Sequence, residues 1–127
     1  MLTVLRRLHG MAERPLPFDA GHCAGSLARA IGAEEWLALV VDLDRVEGLL
    51  VASVGATTIS PALVAVEHAW IAPGGWGAKL AAAYEAWARE RGCVAAHLSM
   101  APGSDRLAAA LDRRGYAPAE ISMVKVL

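Results

Sequence analysis

The feature that most constrains this chain is a glycine-rich turn between an apolar run and a helical pattern. The apolar run at 63–72 ends at Pro73, the turn GGWG follows at 74–77, and the helical pattern then runs to Gly92. A strand that leads through glycines to a helix N-terminus can bind phosphate, because the first amides lack partners and the dipole favours negative charge. Two interpretations stay open: a site for a ligand with a pyrophosphate, or a tight connection without a ligand.

Composition indicates a single domain over residues 1–127 with a core of its own. Apolar residues make up 56% of the chain, but the excess is largely alanine and no run approaches a bilayer span. The two cysteines are typical of a reducing compartment, and no cysteine or histidine spacing predicts a metal site. With a net charge of −1 and no secretory signal, we expect a cytoplasmic protein that binds neither nucleic acid nor membranes.

Periodicity and breaker residues predict the element order α-α-β-β-β-α-β-α-β. Helices are predicted at 2–13, at 20–31, after the glycine turn, and at about 105–114. Asp19 is the predicted N-cap of the second helix, and Ser104 or Asp105 that of the last. The segment RPLP at 14–17 separates the first two helices. Strands are predicted at 36–43, 46–54, 62–72, 93–100 and 116–127. Early hairpins and late β-α-β units predict an α/β (α+β) fold, with a mixed sheet and helices on both faces.

This order and several motifs resemble the GNAT superfamily of acyl-CoA-dependent N-acyltransferases. WARERGC at 87–93 resembles the end of the family's central helix and the start of its fifth strand, and LAAALDRRGYAP at 107–118 resembles its short helix and the following GF or GY. VEHAWIAP at 66–73 resembles the fourth strand with its proline. RRLHGMAERPLPFD at 6–19 is similar to the first helical region of small GNAT proteins encoded by phages and prophages, the nearest resemblance within the family.

The resemblance implies a GNAT-like, mostly antiparallel sheet flanked by helices, and an N-acetyltransferase that uses acetyl-CoA as co-substrate. The acceptor would be an amine on a small molecule or a protein. Backbone amides of the turn would cradle the pyrophosphate, and the edge of the fourth family strand would meet the pantetheine. The implied cradle is Gly74, Gly75, Trp76, Gly77, Ala78 and Lys79, and the implied pantetheine edge is Trp70, Ile71 and Ala72.

Three departures from the family pattern bear on function. Ala72 stands where the family's turn usually has Arg or Gln, and the segment from Pro73 to Leu80 is several residues shorter than usual. Leu111 stands where the family often has a tyrosine that protonates the leaving thiolate, so water or the outgoing ammonium would supply that proton. The family's usual first strand is missing, since the chain starts directly in the first predicted helix.

Glu67 is the candidate catalytic residue, because N-acyl transfer needs a base that removes a proton from the amine. It lies in the strand where the family often has such a base, and a carboxylate in an apolar run must be solvated, paired or protonated. The alternative is an edge-strand residue that faces solvent. By strand alternation His68 lies on the opposite face, so the two residues compete for the catalytic role.

Two classes of function follow from these observations. The first is an N-acetyltransferase with acetyl-CoA bound at 72–79 and an amine beside Glu67. The second is a catalytically degenerate GNAT-fold protein that works through protein contacts, in a phage particle or as a regulator. The missing first strand would leave an exposed sheet edge, which favours pairing with another chain and a homo-oligomer.

Overall fold

The computed structural model describes residues 1–10 and 16–127, and Met11 by its backbone. The sheet has the order β1-β2-β3-β4, formed by Trp36–Leu43, Arg45–Ala56, Leu63–Ile71 and Ala95–His97. The helices within the described residues are α1 (Leu2–Met11), α2 (Ala20–Gly32), α3 (Gly77–Glu90) and α4 (Asp105–Arg113). α1 begins at Leu2, and the predicted end of this helix and the break at 14–15 lie outside the described residues.

The sheet is mixed, as predicted. β1 pairs with β2 and β2 with β3 in antiparallel fashion, whereas β3 and β4 pair in parallel. The turn between β1 and β2 passes through Asp44, whose φ of 69° is left-handed. Aspartate tolerates this conformation better than most residues, so the short turn DLDR closes a hairpin.

Alternating residues of β2 face opposite helix pairs, which confirms the prediction of helices on both faces. On the first face α1 and α2 cover the sheet, and the core there contains Val4, Leu27, Ala30, Leu49 and Val51. On the second face α3 and α4 cover it, with Leu50, Ala52, Ala65, Trp70, Leu80, Tyr84 and Leu111 in the core. The structure shows no described helix with the length and hydrophobicity to span a bilayer.

The predicted strand at 116–127 is wrong, because the structure has no strand in this segment. Residues 117–127 are exposed throughout, although the pattern contains apolar residues such as Ile121 and Met123. A strand needs a paired neighbour, and the predicted partner at 93–100 shrinks to the three residues Ala95–His97. A short edge offers few backbone groups, so a favourable residue pattern does not by itself produce a fifth strand.

The helix boundaries show which local signals determine structure. Asp19 caps α2 as predicted, since its carboxylate accepts a hydrogen bond of 2.8 Å from the His22 amide. Ser104 is the N-cap residue of α4, one of the two predicted, but its side chain makes no cap bond. Gly92 and Gly115 follow α3 and α4 with φ values of 78° and 91°, a conformation that glycine adopts without strain.

Candidate active site

The candidate site begins where β3 and β4 part. Their parallel register covers only three pairs, which join residues 64–66 to residues 95–97. β3 continues to Ile71, whereas the chain after His97 leaves the strand conformation. We call the space between residues 67–71 and residues 98–100 the β3–β4 gap. Its strand edge includes the predicted pantetheine edge Trp70 and Ile71, and Ala72 follows directly after β3.

A β-bulge at His68 determines which side chains face this gap. Ala52 pairs with Glu67 and the adjacent Val51 pairs with Ala69, so His68 is an extra residue in β3. The extra residue shifts the alternation by one, and bulges commonly redirect side chains in this way. Glu67 and Trp70 therefore lie on the same face of the sheet although they are three residues apart.

Both of these side chains bind the same residue across the gap. Glu67 Oε2 accepts hydrogen bonds from the Ser99 amide at 2.9 Å and from Ser99 Oγ at 2.6 Å. The Trp70 indole Nε1 donates to the Ser99 carbonyl oxygen at 2.6 Å. Side-chain bonds thus connect the two chain segments where backbone pairing has ended, and Glu67 is half-buried among them.

His68 lies on the opposite face, in a different environment. Its Nε2 shares a hydrogen bond of 2.7 Å with Ser53 Oγ, and its ring stacks on Trp36 with centroids 4.8 Å apart. Partial burial lowers the pKa of His68, so the imidazole is neutral at physiological pH. Of the two candidate bases, Glu67 therefore lies at the β3–β4 gap, whereas His68 lies on the other face with Ser53 and Trp36.

Tyr84 of α3 fixes the β4 side of the gap. Its ring is fully buried, and its hydroxyl donates to the His97 carbonyl oxygen at 2.9 Å. Burial is the largest cause that raises the pKa of Tyr84, so the phenol stays protonated. The helical spacing puts Tyr84 on the apolar face of α3, and a tyrosine among alanines and leucines is the sequence signal that a polar partner lies nearby.

The glycine turn leads directly from β3 into α3. The Trp76 amide donates to the Pro73 carbonyl at 3.1 Å, and Gly75 has a φ of 81°, which is typical of a type II turn. This bond uses the amide of Trp76. The other five amides of the predicted cradle donate to no backbone or side-chain acceptor in the described part of the chain: Gly74, Gly75, Gly77, Ala78 and Lys79.

The start of α3 suits an anion. Trp76 provides no side-chain cap, and the first turn of the helix contains no acidic residue. A Cβ atom at Gly74 or Gly75 would meet nothing within 4 Å, so another group can approach this backbone closely. The Lys79 ammonium lies 4.2 Å from the centroid of the Trp76 ring, and the ring itself packs against the core. Unused amides, a positive helix end and a lysine therefore meet at one place.

Two concavities lie elsewhere on the described surface. One, of about 470 Å³, is apolar and lies between α1 and α2, and another, of about 180 Å³, lies between α3 and the outer side of β4. Neither includes the β3–β4 gap, which the bonds to Ser99 span. Within the described residues, no group of three His, Cys, Asp or Glu side chains could hold a metal ion.

No protein-family model matches the sequence, and no curated protein matches it either. Solved structures match the fold along nearly the whole chain. AAC(6')-Iy in complex with the bisubstrate analog CoA-S-monomethyl-acetylneamine is 16% identical over 99% of this chain and 90% of its own, with a TM-score of 0.69. A GNAT family acetyltransferase from Staphylococcus aureus is 17% identical over 99% of this chain and 89% of its own, with a TM-score of 0.65.

A third similar structure, a transcriptional regulator from Bacillus halodurans, is 12% identical over 98% of this chain and 93% of its own, with a TM-score of 0.71. At such low identities the likeness shows the fold alone. The fold of this chain is that of the GNAT acetyltransferases, with a four-stranded, mostly antiparallel sheet flanked by helices.

Proposed function

We propose that the protein is a GNAT-type N-acetyltransferase that uses acetyl-CoA as co-substrate. The observation that carries this proposal is the position of the unused amides at the start of α3, directly after the strand that bears Glu67 at the β3–β4 gap. A pyrophosphate bound at the turn and a thioester at the gap would both lie along β3. This arrangement places a negatively charged ligand at a positive helix end and a carboxylate beside the reacting group.

The proposed cofactor contacts follow the turn and the strand edge. The amides of Gly74, Gly75, Gly77, Ala78 and Lys79 would bind the pyrophosphate, and Trp76 would contribute the turn geometry and its stacked lysine. Trp70, Ile71 and Ala72 would border the pantetheine. A backbone cradle needs no particular side chain, so Ala72 in place of Arg or Gln weakens the site without removing it.

Glu67 is the proposed general base. The amine nitrogen of the acceptor attacks the thioester carbonyl carbon, Glu67 takes a proton from that nitrogen, and the carbon–sulfur bond breaks to give an amide and the CoA thiolate. Leu111, a buried residue of α4, offers no proton to the thiolate. Water or the proton removed from the amine therefore converts the thiolate to the thiol.

The acceptor class is an amine on a small molecule or on a protein. The analog bound to AAC(6')-Iy joins CoA to acetylneamine, which supports a small amine as the first acceptor to test. We propose that the reaction takes place in the cytoplasm, a reducing compartment that suits two unpaired cysteines.

The direct test is calorimetry with acetyl-CoA. A substitution that adds a negative charge at the start of α3 distinguishes an effect on acetyl-CoA affinity from an effect on protein stability. Ala78 is exposed in the first turn of α3. Ala78→Glu should leave the melting temperature unchanged or slightly raised, because a carboxylate suits a helix N-terminus, and it should weaken acetyl-CoA binding by about tenfold through repulsion of the phosphates. Ala78→Gln is the matched neutral control and should bind within about twofold of the wild type. No binding by the wild type at millimolar acetyl-CoA would refute the proposal.

A second candidate function is action through protein contacts, as a homo-oligomer or in a phage or regulatory assembly. The observation that favours it is exposed apolar surface: Ile121 and Met123 in the C-terminal segment are 87% and 88% exposed, and Val40 on the edge strand β1 is 46% exposed. Exposed edges and apolar segments favour pairing with another chain. A structure with this fold is named a transcriptional regulator, which supports a regulatory role as the second candidate.

Light scattering distinguishes the two candidates. The second predicts a stable oligomer that dissociates when residues 119–127 are removed, because these residues carry the exposed apolar side chains. A strict monomer that turns over acetyl-CoA with an amine would rule it out. An oligomer with turnover would show that the protein is not catalytically degenerate and would leave only the oligomeric state of the second candidate.

A further inference from the structure

We propose that Ser99 is a positioning residue of the acetyl-transfer site, which holds the Glu67 carboxylate in place at the β3–β4 gap. This inference rests on the proposed function. Its basis is the convergence of three polar groups of one residue on β3: the amide and hydroxyl of Ser99 donate to Glu67, and its carbonyl accepts from Trp70.

Ser99 lies outside regular structure, so strand pairing does not fix its place. It follows β4 by two residues, and the Tyr84 bond to the His97 carbonyl ties the end of β4 to α3. The Trp70 side chain is buried in the core and cannot shift freely. Its bond to the Ser99 carbonyl therefore restricts the position of Ser99 at the β3–β4 gap. Ser99 thereby has a fixed position from which it binds the Glu67 carboxylate.

The two donors of Ser99 meet the same carboxylate oxygen. Glu67 Oε2 receives the hydroxyl at 2.6 Å and the amide at 2.9 Å, distances typical of hydrogen bonds to an ionised group. Two donors on one oxygen define the rotation of the carboxylate as well as its position. A base must lie within hydrogen-bond reach of the proton it removes, so loss of this orientation should lower turnover more than cofactor binding.

The hydroxyl is the part of this support that substitution can remove. In Ser99→Ala the amide bond to Glu67 stays and the hydroxyl bond is lost, so the ionised carboxylate has one donor fewer and should titrate at higher pH. Tyr84 is the titratable group that faces Glu67 from α3, and its buried phenol stays neutral. His68, the neighbour in β3, lies with Ser53 on the opposite face. Because threonine keeps the hydroxyl, the comparison of Ser99→Ala with Ser99→Thr isolates the contribution of that hydroxyl to the titration.

The first test needs no acceptor substrate. The Glu67 side-chain carboxyl carbon is followed by NMR during a pH titration in the wild type, Ser99→Ala, Ser99→Thr and Ser104→Ala. Ser104 makes no side-chain cap bond, so its substitution controls for the loss of a serine hydroxyl elsewhere. We expect a higher titration midpoint in Ser99→Ala only, with Ser99→Thr close to the wild type because threonine keeps the hydroxyl. Equal midpoints in Ser99→Ala and the wild type would overturn the proposal.

The second test is kinetic and uses a panel of small amines. Ser99→Ala should lower kcat about tenfold and move the acidic limb of the pH profile to higher pH, whereas the Kd for acetyl-CoA should change less than about twofold. On the Glu67→Gln background, Ser99→Ala should have no further effect on kcat, since Ser99 acts through the carboxylate. A further loss there of the same size as in the wild type would show a structural role only and overturn the positioning role.

The two tests separate the failure of this inference from the failure of the proposed function. If the wild type transfers acetyl groups to no amine, the acetyltransferase proposal is in error, and the NMR titration still decides whether Ser99 controls Glu67. If the wild type is active and Ser99→Ala matches it in kcat and in pH profile, the acetyltransferase proposal survives and the positioning role of Ser99 is rejected.

Discussion

The substitution Gly48→Ala tests how the fold holds the glycine turn against the sheet. A Cβ atom at Gly48 would lie 2.8 Å from the Ile71 carbonyl oxygen, 2.8 Å from Pro73 Cδ and 3.2 Å from Val41 Cγ2. The first two atoms belong to the backbone and to a proline ring, so neither can move away by side-chain rotation. Because ordinary van der Waals contact begins at 3.4 Å, the end of β3 and the start of the turn must move by about 0.6 Å.

We expect Gly48→Ala to lower the free energy of unfolding by about 1–3 kcal/mol, the usual cost of overpacking a core. Because Pro73 leads into the turn, acetyl-CoA binding should also weaken by several-fold. Urea denaturation measures the first effect and calorimetry the second. Gly55→Ala in the same strand is the matched control, since its Cβ atom would meet nothing within 4 Å; it should be neutral or up to about 1 kcal/mol stabilising. Equal stability of the two variants would refute the reasoning.

Two further predictions concern the contacts that hold α3. Arg114 donates through Nε and Nη2 to both carboxylate oxygens of Glu85, at 2.9 and 2.7 Å. In urea denaturation, Arg114→Ala should therefore lower the free energy of unfolding by about 1.5–3 kcal/mol. Arg89→Ala loses only a 3.9 Å contact with Glu85 and should lower it by less than about 1 kcal/mol. The Arg114 bond is also the largest cause that lowers the pKa of Glu85. The stability from this pair is therefore present above the ordinary pKa of 4.5 and is lost as pH falls through the lowered pKa. The difference in unfolding free energy between the wild type and Arg114→Ala should accordingly become smaller in acid. Tyr84→Phe removes the donor to the His97 carbonyl without changing the ring. Thermal unfolding should show a loss of about 1 kcal/mol, and an unchanged stability would contradict the contribution of this bond.

Features set by local chemistry could be predicted from the sequence. The predicted strand at 36–43 agrees with β1, and Asp19 caps α2 as expected, because apolar patterns and cap residues act within a few positions of themselves. The strand, glycine turn and helix around 63–90 were also predictable, since Pro73 and the glycines punctuate the chain. These elements position the start of α3, so part of the candidate site was predictable as well.

Contacts between distant parts of the chain could not be predicted in this way. Glu85 and Arg89 have the i,i+4 spacing of a favourable pair but make only a 3.9 Å contact. Arg114 forms the close pair with Glu85 from 29 residues away. Ser99 likewise meets Glu67 across 32 residues, and nothing in the segment CVAAHLSM indicates that one serine would bind two side chains of another strand. Such partners depend on how α4 and the end of β4 pack, which local patterns do not specify.

The bulge at His68 shows how one residue can create a site that strict alternation would forbid. Without it, residues 67, 69 and 71 would share a face, and Trp70 would point toward α1 and α2. The register shift between Val51 and Ala52 places Trp70 on the α3 side with Glu67, where both reach Ser99. The same shift leaves His68 with Ser53 on the other face. The shared face of Glu67 and Trp70 therefore depends on the bulge while His68 is present. Deletion of His68 would leave these two residues two positions apart in a regular strand, so alternation should keep both on the face of Ser99.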